Sequence, residues 1–227
     1  MRRTTTSELL DDDLGTPEEI STSLDDLWRI NRRLGGVSSS MRMLERFFSR
    51  TGAHSARILD VGSGDSRLAG HLRTELLKRN IRTEFFVLDR RLTHLEGGKP
   101  LAAGLHPVVG DVFALPFPER SFDVVMCNLF LHHFSGEKAR ELLSSLARVA
   151  SQAVLVNDLE RHVLPYLFIR FLGFPFAHSR ITRNDGPASV RQAYTRDELA
   201  ALAEGAGLRN FEAERVPPFR LGLTVWK

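Results

Sequence analysis

The sequence predicts an α/β fold, a doubly wound and mostly parallel seven-stranded sheet preceded by a helical extension. Three observations carry that reading. From residue 57 onward, short runs rich in β-branched and aromatic residues alternate with amphipathic helical periods. Parallel neighbours need a crossover, which helices of this length supply. The final two apolar runs are separated only by a turn at Pro217-Pro218, which suits an antiparallel pair closing one sheet edge.

The strand runs are RILDV, TEFFVLD, HPVVGD, SFDVVMCN, QAVLVND, LRNFEAERV and FRLGLTVWK. The helical periods between them are LAGHLRTELLKR, EKARELLSSLARVA and TRDELAALAEGAG. In the last of these Thr195 is an N-cap, Glu198 completes a capping box, and Gly205 and Gly207 suit its end. Residues 9–48 read as helical material broken at Thr16-Pro17 and at Gly35-Gly36, with Leu24, Leu27, Trp28 and Ile30 at helical spacing. We divide the chain into an extension, residues 1–50, and a larger domain, residues 51–227. Residues 178–194, HSRITRNDGPASVRQAY, read as a polar loop with turn chemistry at Asn184-Asp185-Gly186.

Composition narrows the class. With 227 residues, 42% hydrophobic and 26% charged, the chain can bury a sizeable core, and 17 Gly and 10 Pro exclude collagen-like and low-complexity readings. The single cysteine, Cys127, can form neither an internal disulfide nor a Cys-rich zinc site, so a cytoplasmic protein without a bound metal is expected. A net charge of +3 with no long basic run argues against a nucleic-acid partner. No apolar h-region follows the two N-terminal arginines. The most apolar run, residues 163–178, is shorter than the roughly 20 residues of a membrane span and carries Arg170.

Chemistry concentrates in residues 58–72, ILDVGSGDSRLAGHL, where a buried strand runs into a glycine-bearing turn and then a helix. Gly62 and Gly64 let the backbone approach a ligand, and Asp60 and Asp65 place carboxylates at the strand's C-terminal end. Carboxylates there suit a cationic ligand better than a pyrophosphate, which would seek bare amides. A tight turn with no ligand is the alternative. Asp89, at the end of the second strand, is placed to accept from ribose hydroxyls, or else is a solvated acid beside Arg90 and Arg91. Asp111 follows the third strand and can accept from an adenine amino group, with Val112 and Phe113 beside the ring. Asp123 reads as structural.

Together these residues resemble the class I S-adenosylmethionine (SAM) dependent methyltransferases. The family's D-x-G-x-G turn matches Asp60, Gly62 and Gly64, and its acid after the second strand matches Asp89. GDVFALPFPERSFDVV is similar to the adenine-binding segment, so the resemblance assigns Asp111 to adenine. NLFLHHF is similar to the post-strand-four segment of ubiquinone and menaquinone biosynthesis methyltransferases, which implies that Asn128 and Leu129 flank the methionyl part of SAM. Ser63, Asp65, Arg90 and Val112 complete the implied cofactor set. One departure is Asp65-Ser66, where many members carry a further Gly or Thr.

For the acceptor, His132 or His133 lies near the fourth strand's end, where a histidine can act as a base; His133 can equally pack behind the pocket. Asp158 and Arg161 either reach the acceptor or form a surface pair or helix cap. Tyr166, Phe168, Phe171, Phe174 and Phe176 either roof a pocket or pack in the core, and core packing is the expected use of most of these rings. Arg180 belongs to the polar loop, which can close over a substrate, and Trp28 to an extension that covers the acceptor site.

The expected function is SAM-dependent methyl transfer to a small molecule, at an oxygen of a phenolic, quinone or polyketide-like compound. A NAD-dependent Rossmann oxidoreductase and a SAM-binding protein without turnover are the alternatives.

Overall fold

The structure, a computed structural model, describes residues 1–10, 14–96, 101, 103–172 and 177–227. Two helices lead, α1 (Pro17–Arg33) and α2 (Gly36–Thr51). Then come β1 (Ser55–Val61), α3 (Arg67–Lys78), β2 (Arg82–Asp89), α4 (Leu92–Glu96), β3 (Leu105–Val109), β4 (Phe122–Asn128), α5 (Gly136–Val149) and β5 (Ala150–Leu159). The chain closes with α6 (Val163–Leu167), a π-helical turn (Phe168–Leu172), α7 (Arg180–Gln192), α8 (Arg196–Gly205), β6 (Phe211–Val216) and β7 (Arg220–Trp226).

The seven strands form one sheet in the order β3-β2-β1-β4-β5-β7-β6. Every pair among β1 to β5 is parallel, and β7 lies antiparallel between β5 and β6. The doubly wound prediction therefore holds, including the closing hairpin. The direction of winding reverses between β1 and β4, which opens a crevice at the carboxyl ends of these strands.

Two-residue periodicity divides the core between the two sheet faces. Ile58, Val124, Met126 and Leu155 pack with Met43, Leu44 and Phe47 of α2 and with Leu72 and Leu76 of α3. Leu59, Val125, Cys127, Val154 and Val156 face the other way, onto Leu142, Leu143 and Leu146 of α5 and Leu199 and Leu202 of α8. Helix α2 is thus part of the core. Helix α1 begins on a capping box of Thr16 and Glu19, with Pro17 at its first position.

Two expectations are corrected. Residues 180–192 are helix α7, not a polar loop, and Asp185 is buried rather than in an exposed turn. Gly186 and Pro187 are poor helix formers, but tertiary contacts override them. Ser179 caps the helix by accepting from the Ile181 amide (3.1 Å), and Asp26 of α1 accepts from the His178 and Ser179 amides (2.7 and 2.8 Å). Asp185 accepts from the amides of Leu9 and Leu10 (both 3.0 Å), tying the N-terminal arm to this helix. Nor do the described rings after β5 pack as core: Phe171 is 68% exposed, and Tyr166 and Phe168 are only half-buried. Phe174 and Phe176 lie outside the described residues. Among the described residues, no helix is long and apolar enough to cross a membrane.

Because Phe47 is fully buried between α2 and the sheet and stacks with Trp226, Phe47→Ala is expected to destabilise the fold by about 3–5 kcal/mol. Urea denaturation measures this. A loss below about 1 kcal/mol, the scale of an ordinary surface change, would detach α2 from the core.

Candidate active site

A cavity of about 760 Å³ opens over the carboxyl ends of the strands. At its floor β1 ends in Asp60, only 2% exposed. Asn128 at the end of β4 donates to Asp60 Oδ1 (2.9 Å) and accepts from Ser40 Oγ of α2 (2.7 Å). Burial pushes the Asp60 carboxyl up to about 7, with the Asn128 hydrogen bond opposing and the charge of Asp89 adding to the rise.

The glycine turn sits above Asp60. Gly62 has φ +63°, and a Cβ there would lie 2.6 Å from the Phe130 ring, so only glycine fits. Asp89 shapes the same turn, accepting from the Gly64 amide (3.0 Å) through Oδ2 and from the Arg91 amide (3.0 Å) through Oδ1. Asp111 accepts from the Phe113 amide (2.9 Å), starts a short 3₁₀ turn over Val112–Ala114, and stays exposed at the rim. Ser63, Gly64, Arg90, Val112 and Leu129 also line the cavity. Asp65 lines it too, but its carboxylate is held by Arg67, which pairs in turn with Asp25 of α1 (2.6 Å). Asp123 lies at the opposite end of the sheet, accepting from the Arg57 amide and the Gln152 side chain, in the structural role expected of it.

The acceptor candidates separate sharply. His132, 3% exposed, is held twice by Asp158: its amide donates to Oδ2 (3.0 Å), and its ring Nδ1 lies 2.6 Å from Oδ1. Burial alone would raise the Asp158 carboxyl, but His132 and the Leu159 amide outweigh it and hold the carboxyl below its usual value. An ionised carboxylate can only accept, so Nδ1 is the donor, and in the neutral tautomer that matches this bond Nε2 carries the lone pair. Glu8 brings Oε1 to 3.7 Å from that Nε2, and His133 stacks on His132 with ring centres 4.2 Å apart. Ligand atoms of Glu8, His132 and His133 lie within 4.8 Å of one another, a spacing that a cation can bridge.

Arg161, Arg180 and Tyr166 do not reach the cavity. Arg161 is buried away from it, donating to the carbonyls of Met1 and Ala193 and pairing with Glu198 (2.5 Å), so it forms no pair with Asp158. Arg180 is exposed and reaches Glu19 of α1 (3.4 Å). Tyr166 is half-buried and does not line the cavity; Phe168, Ile169 and Arg170 beside it do. Trp28 lines the cavity with its ring against His71 and between Arg67 and Arg32, on the glycine-turn side. Sequence reasoning missed Glu8, Arg220 and Phe130. Nothing local marks Glu8 or Arg220, because each reaches the site from a distant part of the chain.

These residues fit SAM. The buried carboxylate of Asp60 favours a cationic partner, and the glycine turn leaves the space that a side chain would fill.

Comparison with known proteins agrees. Residues 58–152 match a family described as "Methyltransferase domain". No curated protein sequence matches the chain. Among solved structures, the plantazolicin methyltransferase BpumL, in complex with a pentazolic desmethylPZN analog and SAH, superposes with a TM-score of 0.67 at 13% identity, covering 92% of this chain and 96% of that one. A SAM-dependent methyltransferase from Aquifex aeolicus gives 0.57 at 16% identity, covering 83% and 97%. Human N-acetylserotonin methyltransferase in complex with SAM gives 0.54 at 18%, covering 87% and 57%. At these identities the structural likeness speaks for the fold alone. The family match falls on the strands that carry the glycine turn and the acids.

Proposed function

We propose that the protein methylates an oxygen of a small phenolic, quinone or polyketide-like acceptor, with His132 as the base. The observation that carries this is the Asp158–His132 pair, which fixes the ring tautomer with Nε2 as acceptor at the wall of the cavity. Asp60, Gly62, Ser63, Gly64 and Asp65 would border the methionyl end of SAM with Asn128 and Leu129, while Asp89, Arg90, Asp111 and Val112 would hold the nucleoside. SAM supplies an electrophilic methyl group on a sulfonium. The chain's own work is to orient an acceptor hydroxyl, exclude water with the walls formed by α1, α7 and the π-helical turn, and take up the hydroxyl proton on Nε2. Asp158 stabilises the imidazolium so formed. In this reading the part of the 1–50 extension before α2 acts as a cover, with Trp28 over the cofactor and Glu8 beside the base. Support for a cytoplasmic location rests on the lone, buried Cys127.

Three outcomes test the reading. His132→Gln is expected to lower kcat by about 10²–10⁴-fold while leaving S-adenosylhomocysteine affinity unchanged; wild-type turnover on a phenol panel would remove the base. Incubation with EDTA is expected to leave turnover intact. Loss restored by a divalent cation would reassign Glu8, His132 and His133 to a metal centre.

The third concerns pH. The raised Asp60 carboxyl stabilises the ligand-free fold fully below about 4, and that contribution is lost as pH rises through about 7. An ammonium ligand needs the ionised form, so the sign for binding is opposite. S-adenosylhomocysteine affinity is expected to fall toward about tenfold per pH unit below 7, measured by calorimetry between pH 5.5 and 8. Asp60→Asn is expected to bind more weakly and to flatten this dependence. A flat profile in the wild type would dissociate Asp60 from the ammonium.

A further inference from the structure

We propose that Arg220 is an anion-binding group of the acceptor site, and that the acceptor carries a carboxylate in addition to the hydroxyl presented to His132. This inference rests on the methyl-transfer reading above and names the substrate class for the same site.

Arg220 opens β7, lines the cavity and is only 2% exposed. Its Nη2 donates to Asn31 Oδ1 (3.2 Å), whereas its buried Nη1 has no hydrogen-bond partner. Among the described residues no carboxylate lies within ion-pair distance of it, so the guanidinium is a desolvated cation without a directly bonded counter-charge. Burial pushes its pKa down to about 10, with the charge of Asp158 acting in the other direction. A buried arginine is costly unless paired and fully hydrogen-bonded. Here the guanidinium borders a cavity, and a carboxylate that reached it from there would supply the charged partner it lacks.

The position is built. The end of α1 supplies Asn31, and the start of α2 supplies Gly36, where a Cβ would lie 1.5 Å from Asn31 Oδ1 and 2.8 Å from Arg220 Nη2. A side chain at residue 36 would displace both groups.

The place in the sheet separates this anion site from the cofactor. Arg220 pairs in register with Leu159, one residue past the Asp158 that holds His132. It stands three strands from β1, about 14 Å at the usual strand spacing, on the side away from β2 and β3. By strand order a carboxylate at Arg220 would lie nearer β5, whose Asp158 holds His132, than β1 and its glycine turn. Hydroxyaryl carboxylic acids combine the two groups.

The test compares 3-hydroxy-2-naphthoate with 2-naphthol, titrated by fluorescence in the presence of S-adenosylhomocysteine. Wild-type protein is expected to prefer the carboxylate by about tenfold or more, as befits a charge-assisted pair. Arg220→Met is expected to erase the preference, and Arg220→Lys to retain part of it. S-adenosylhomocysteine affinity, titrated separately, is expected to stay within about twofold in both variants, well under the tenfold that a lost charged contact produces. Equal or undetectable binding of the two naphthalenes to wild-type protein overturns the proposal even if neither variant folds. A preference that survives in Arg220→Met, or a tenfold loss of S-adenosylhomocysteine affinity there, also overturns it, the latter because the guanidinium then serves the cofactor's carboxylate. Failure of wild-type protein to bind S-adenosylhomocysteine would instead strike the methyl-transfer reading.

Discussion

The buried carboxylate of Asp158 is the constraint on which the His132 side of the cavity depends. It sits at the end of β5 with 3% exposure, accepts from the backbone and the ring of His132, and takes the Leu159 amide as well (2.7 Å). Isolated in an apolar interior, such a charge would be strongly unfavourable. Three N–H donors compensate it, and in doing so they fix the direction of one imidazole and the path of the loop after β4. The neighbouring register position in β7 then carries a cation, so carboxylate, imidazole and guanidinium follow one another across two adjacent strands.

A second network joins the helical layer to the strand ends. Asn157 donates to the Gly36 carbonyl and to Ser40 Oγ, Ser40 reaches Asn128, and Asn128 reaches Asp60. The first turn of α2 is thereby bonded to the tips of β5, β4 and β1. Residues 36–51 thus share two duties, closing the hydrophobic layer with Phe47 and Leu44 and holding the polar floor with Ser39 and Ser40. Helix α1, with fewer core residues, leans instead over the turn, where Leu24 lies against Gly64.

The doubly wound sheet and the gathering of Asp60, Asp89 and Asp111 at one end of it were legible because each rests on short-range information. Asp60 and Asp89 lie at the ends of buried β-runs and Asp111 two residues past the short β3, and the parallel topology alone brings such positions together. The His132 side of the cavity was legible only in part. His132 was visible from its distance to β4, but Glu8 comes from an arm fastened to α7 by Asp185, and Arg220 from a strand whose other residues are plain core. Helix α7 escaped detection because its stability comes from caps supplied by α1 and the N-terminal arm rather than from its own polar, Gly- and Pro-containing composition. Neither kind of proximity leaves a periodic trace.

Cys127 lies one residue before Asn128, with no exposed surface and its thiol raised well above the usual range by burial and by the charges of Asp158 and Asp60. A thiolate is the reactive form, so alkylating reagents find nothing to attack while the sheet is closed. Labelling of this sole sulfhydryl consequently clocks the opening of the central strands, and any ligand that clamps the cavity above them slows that clock.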